Sequence, residues 1–164
     1  MQPKIFIQNH KKNIKSGFSL TELMIAVAII GTISAIAIPT QLRNLCRAES
    51  NEAMATIGSV QAIISAYIDE TGVFPSSWDD LNSISAIMTA NGTASGDLAT
   101  PITLPGKFYE VSVAGPINSA YDITATRKDS CPNRDINACL NLSNGASDMD
   151  SGDGSIGPRA VNCS

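Results

Sequence analysis

The chain has 164 residues, 43% of them hydrophobic and 5% aromatic, with a formal net charge of −4. That is enough for one domain with a modest, mainly aliphatic core and an appended helix. The first 17 residues hold Lys4, Lys11, Lys12 and Lys15 and no acid; without those four positive charges the remaining −4 becomes −8. A surface of that sign does not attract nucleic-acid phosphates, so direct nucleic-acid binding is not predicted.

Residues Phe18 to Ile38 read FSLTELMIAVAIIGTISAIAI, with Glu22 as the one charged residue. At 1.5 Å per residue this run spans about 31 Å, close to the hydrocarbon thickness of a bilayer. The lysines before it predict that the N-terminus stays cytoplasmic and the rest is exported. An ordinary signal peptide is cut at small residues after its apolar region, and no such site follows Ile38. An uncut signal anchor is the plain alternative. It leaves unexplained a glycine directly before the span and a carboxylate within its first turns, where charge is costly unless hydrated or partnered.

The run Gly17-Phe18-Ser19-Leu20-Thr21-Glu22-Leu23-Met24-Ile25 resembles the class III signal of type IV prepilins and pseudopilins. The resemblance implies cleavage between Gly17 and Phe18 by a prepilin peptidase, and N-methylation of Phe18 by the same enzyme. It implies that residues 1–17 are a leader and that 18–38 form the membrane span and later the filament core. Glu22 of one subunit would meet the new Phe18 amine of another and so set the register of assembly. Pro39 falls where many pilins carry a helix-softening proline, and Gly31 opens the same weakened stretch. The implied partners are other copies of the chain and other pilins, the prepilin peptidase, the pilus assembly platform and inner-membrane lipid. The implied location is single-pass in the inner membrane, then on the cell surface in a pilus.

Beyond the span the helix is predicted to continue to about Glu70. Leu42, Leu45, Met54, Ile57, Val60, Ile64 and Ile68 form one apolar stripe, with Glu49, Glu52, Gln61 and Asp69 largely off it. Gly72 and Pro75 end it. Ser76 or Ser77, with Asp79 and Asp80 following, caps a short helix running to about Met88. Residues 107–114 (KFYEVSVA) and 121–126 (YDITAT) read as antiparallel strands joined by a turn at Gly115-Pro116-Ile117-Asn118. The expected fold is therefore α+β: a long N-terminal helix, its front half transmembrane, packed against a small antiparallel sheet within a head of residues 71–164. The C-terminal third is rich in Asn, Asp, Ser and Gly and reads as loop with little to bury.

Cys46, Cys131, Cys139 and Cys163 suggest disulfides in an exported domain. Three pairings are open. Cys131 and Cys139 are close enough for a local loop, and a bridge from Cys46 would tie helix to domain. Zinc is disfavoured: there is no Cys-x-x-Cys, and the single histidine, His10, lies in the basic segment. Asp148, Asp150 and Asp153, interleaved with glycines, have the composition of a calcium loop but not the spacing of an EF-hand; a solvated acidic turn is the expected state. No cofactor and no catalytic group are expected. The leading expectation is a structural subunit of a type IV pilus serving adhesion, twitching motility or DNA uptake. The alternative is a pseudopilin of a type II secretion system.

Overall fold

The structure, a computed structural model, describes residues 17–164. The described residues divide into two units, 17–41 and 42–164; Lys4, His10, Lys11, Lys12 and Lys15 lie outside the described residues.

Helix α1 runs from Leu20 to Thr71 without interruption, with Pro39 inside it. In the first unit nearly every side chain is exposed, including Leu23, Ile25, Ile29 and Ile33. This is the one helix among the described residues that is long and apolar enough to cross a membrane, by length and composition.

In the second unit the same helix buries Ala53, Ile57, Val60 and Ile64. Leu42 and Leu45 remain about half exposed or more, at 58% and 50%, so the apolar stripe begins later than its sequence period suggests. Glu49 and Gln61, expected off the stripe, are half-buried and bonded to the sheet: Gln61 Nε2 donates to the Cys139 carbonyl at 2.9 Å.

Gly72 leaves the helix with φ +70°, and its N–H closes the last turn on Ile68. Helix α2 is only Trp78–Asn82. Ser77 caps it reciprocally with Asp80, two orphan donors satisfied at once. It stops well before Met88 because Asn82 turns its side chain to other backbone, donating to the Ala94 carbonyl and accepting from Ile87 N–H. Trp78 is fully buried, with its indole N–H on the Thr100 carbonyl.

Strands β1 (Met88–Thr89) and β2 (Gly92–Thr93) form a small hairpin. The main sheet is antiparallel in the order β3 (Ile102–Thr103), β4 (Tyr109–Ile117), β5 (Ala120–Arg127), β6 (Ile136–Asn141) and β7 (Ala146–Ser151). Its inner face carries Tyr109, Val111 and Val113, then Tyr121, Ile123 and Ala125, then Ile136, Ala138 and Leu140, the alternation expected of a half-buried sheet. These side chains form one core with Ile57, Val60 and Ile64 of α1. Tyr121 reaches past it to donate to the Pro75 carbonyl at 2.8 Å; burial pushes its phenol up to about 12.

The β4–β5 turn is not where the Gly-Pro pair suggests. Ile117 pairs with Ala120, and the loop is Asn118-Ser119, both at positive φ, the two-residue hairpin geometry that asparagine tolerates. Gly115 and Pro116 instead lie within β4, at an irregularity between Ala114 and Ile117. Gly115 has φ +128°, and a Cβ there would sit 2.7 Å from the Ala120 carbonyl oxygen. Gly115→Ala is therefore expected to lower stability by about 2 kcal/mol, measured by urea melting of the protein.

The larger correction concerns the C-terminal third. It is not mainly loop: β6 and β7 complete the sheet, and β6 contributes Ile136, Ala138 and Leu140 to the core.

Candidate processing and assembly site

Gly17 and Phe18 precede the helix, and Phe18 is 88% exposed. Ser19 caps the helix. Its Oγ accepts the Glu22 N–H at 3.2 Å, and the Glu22 carboxylate accepts the Ser19 N–H at 2.9 Å. This is a capping box, satisfying two N-terminal donors that an α-helix leaves open. The carboxylate also faces the positive end of the helix dipole. Sequence reasoning singled out Gly17, Phe18 and Glu22 but passed over Ser19; the Ser-x-x-Glu spacing is the signal that finds it. Gly31 and Pro39 lie farther along α1, which stays helical through both. Proline leaves one carbonyl of the preceding turn without its helical donor. Thr40 Oγ1 donates to the Ala37 carbonyl at 2.8 Å in the same turn.

The four cysteines form two bridges, Cys46–Cys131 and Cys139–Cys163. Cys131 and Cys139 are not partners, so the local loop allowed by their spacing does not form. Beside the first bridge lies a charge cluster that sequence reasoning missed. The Arg127 side chain is 2% exposed and pairs with both Glu49 and Asp129. It also donates to the Cys46 carbonyl and to Tyr109 Oη, each at 3.1 Å, and lies 5.1 Å from the Tyr109 ring centroid. The Asp129 carboxylate in turn accepts the Cys131 N–H at 3.0 Å. Arg127 holds Asp129 below its ordinary carboxylate range, and its hydrogen bonds, Asp129 first, raise its own pKa. Glu49, Asp129 and Cys131 are the group of potential metal ligands among the described residues. The guanidinium fills the place between the two acids and the cysteine is oxidised, so their chemistry is that of a structural clamp.

The second bridge anchors the C-terminal segment over the outer part of the sheet. Asn141 Nδ2 donates to the Cys163 carbonyl at 2.9 Å, and Arg159 makes two 2.7 Å bonds to Asp148. Asp150 accepts the Arg159 N–H, and Asp153 accepts the N–H groups of Ser155 and Ile156. The acids considered for calcium are thus engaged by protein donors: Arg159 lies across Asp148 and Asp150, and Asp153 caps a separate turn.

Removing the Cys139–Cys163 bridge opens a loop of sequence separation 24, a loss of about 3 kcal/mol. Cys139→Ser/Cys163→Ser should lower the melting temperature by roughly 10 °C, read by circular dichroism. Arg159 and then the Asn162 N–H hold Asp148 well below the usual carboxylate range. The folded state thus favours the ionised form. Its contribution is complete above the unfolded carboxylate pKa near 4 and fades only as pH falls toward the depressed folded value. Carboxyl-carbon NMR should find Asp148 still ionised at about pH 3, with its pKa raised in Arg159→Gln but still below the ordinary range, because the Asn162 and Met149 N–H bonds remain.

Residues 12–38 match the family model of the prokaryotic N-terminal methylation motif. The chain is 32% identical over 117 residues to the fimbrial protein EcpC of Eikenella corrodens, covering 71% of this chain and 65% of that one. It is 28% identical over 124 residues to the type IV major pilin protein PilE1 of Neisseria gonorrhoeae, covering 75% and 58%. It is 36% identical over 92 residues to the type IV major fimbrial protein FimA of Dichelobacter nodosus, covering 54% and 58%. The chain therefore spans a little under two thirds of the length of the curated relatives it matches. The motif, the long helix and the antiparallel sheet define an α+β protein of the N-terminal methylation class. More narrowly, the chain is similar to fimbrial proteins and type IV major pilins.

Proposed function

We propose that the chain is a structural subunit of a type IV pilus, released from its leader by prepilin peptidase and assembled with other copies and other pilins by packing of its apolar helix. The observation that carries this reading is the methylation motif leading into a helix whose front half exposes an unbroken set of large apolar side chains. Such a surface needs lipid or neighbouring helices. Cleavage between Gly17 and Phe18 would create an amine that is then methylated. The Ser19–Glu22 cap supports a sequence of events: before assembly the Glu22 carboxylate is satisfied within its own chain, and on assembly it exchanges that bond for the Phe18 amine of a neighbour. Buried charge is tolerable when paired and costly when not. Gly31 and Pro39 would be where the helix loosens as it leaves lipid.

The subunit resides first as a single span in the inner membrane, is lifted by the assembly platform and ends on the cell surface. Adhesion, twitching motility and DNA uptake are the roles open to such a filament. The test is the sheared surface fraction of cells carrying the gene. Filaments containing the chain, lost when prepilin peptidase is deleted, are expected. Absence of the chain from surface filaments, with loss of protein secretion on its deletion, would instead identify a pseudopilin.

A further inference from the structure

Two adjoining grooves in the second unit, of about 500 Å³ and about 330 Å³, run beside the helix from Leu42 to Met54 and share Arg134 and Asp153 in their walls. Arg43 and Arg47 lie one helical turn apart, on one side of the helix, and each lines one of the grooves. Among the described residues neither has an ion-pair partner, whereas Arg127, Lys128 and Arg159 are all paired. Arg134 is held in place: its Nη2 donates to the Asp153 carbonyl at 2.9 Å, and its guanidinium lies against Gly154. The one acid lining both grooves, Asp153, has its Oδ1 committed to the N–H groups of Ser155 and Ile156. Three arginines thus gather on one side of a domain whose formal charge is otherwise strongly negative.

The wall also holds Ser50, 2% exposed, whose Oγ has no hydrogen-bond partner. Thr56, Ser59, Ser65 and Thr71 of the same helix each donate to the carbonyl four residues back. Ser50 does not, and the Cys46 carbonyl four residues before it instead accepts from Arg127. A buried hydroxyl without a partner is rare in a native protein and calls for an explanation.

We infer that this groove binds a phosphate-bearing anion, with Arg43, Arg47 and Arg134 as its cationic ligands and the Ser50 hydroxyl as a neutral donor. The guanidinium fork matches the paired oxygens of phosphate, and several donors converging from two elements suit a tetrahedral anion with many acceptor sites.

The test uses the full chain in neutral maltoside micelles, with melting followed through the single tryptophan, Trp78. One arm adds inorganic phosphate against chloride at matched ionic strength; the other adds phosphatidylglycerol to the micelles. A saturable rise in melting temperature is expected, and Arg43→Gln/Arg47→Gln should weaken binding by roughly tenfold or more. Ser50→Ala should raise the ligand-free melting temperature and shrink the ligand-induced rise. A response to inorganic phosphate assigns a soluble anion; a response confined to phosphatidylglycerol assigns a lipid headgroup; both uphold the site. No saturable rise in either arm, or an equal rise in the double arginine variant, overturns it.

Discussion

Glu22→Ala should leave the chain in the inner membrane at normal abundance and reduce surface filaments by roughly tenfold or more. The span loses its one charge, so insertion is if anything favoured. The helix loses one cap, a local effect in a segment that lipid holds helical. What is removed is the carboxylate proposed to meet the Phe18 amine of the neighbouring subunit. Without it that amine enters an apolar core unpaired. Glu22→Gln keeps the capping geometry, accepting from Ser19 N–H, but not the charge. It should assemble as poorly as alanine if pairing is the function, and nearly normally if capping is. Membrane fractionation and quantification of sheared filaments read the two effects apart.

The second large effect lies at the clamp between helix and sheet. Cys46–Cys131 closes a sequence separation of 85, for which chain-entropy arguments give about 4–5 kcal/mol. Arg127 beside it holds Glu49 and Asp129, whose side chains are 22% and 29% exposed. Breaking a buried pair by deleting one partner costs 3–5 kcal/mol; with both acids partly hydrated, Arg127→Met should cost about 3 kcal/mol. Arg127→Lys should recover little, because one ammonium cannot bond two carboxylates, a carbonyl and a phenol in that planar arrangement. Asp129 accepts from Cys131 N–H and Arg127 donates to the Cys46 carbonyl, so disulfide and ion cluster share partners. The combined variant should therefore lose less than the sum of the single losses, as a double-mutant cycle in urea would measure. Strict additivity would show two independent devices.

How much was legible from the sequence varies along the chain. The front of α1 is read from composition alone, because lipid-length apolar runs are rare. The Ser77 cap and the cores of β4 and β5 follow from short-range chemistry and alternation. The end of the chain misleads because its strand residues carry loop-like side chains. In β6, Asn137 and Asn141 face outward and bond the carbonyls of Arg159 and Cys163. In β7, Asp148 and Asp150 sit at the sheet edge because Arg159, nine or more residues later, meets them. Neither partner is visible to a local window. Arg127 eluded sequence reasoning for the same reason: its acids are 78 residues back and two residues ahead. Leu42 and Leu45 fit the helical period, yet the sheet does not extend to cover them.

Processing at the N-terminus is the step on which all the assembly chemistry depends. Intact mass spectrometry of the chain recovered from native filaments tests it directly. After reduction of the two disulfides, the expected species begins at Phe18, lacks residues 1–17 and is one methylene heavier than the unmodified polypeptide, with the extra mass on the terminal amine. A chain that retains the Gly17–Phe18 bond in its native location would contradict that processing, and with it the pairing assigned to Glu22.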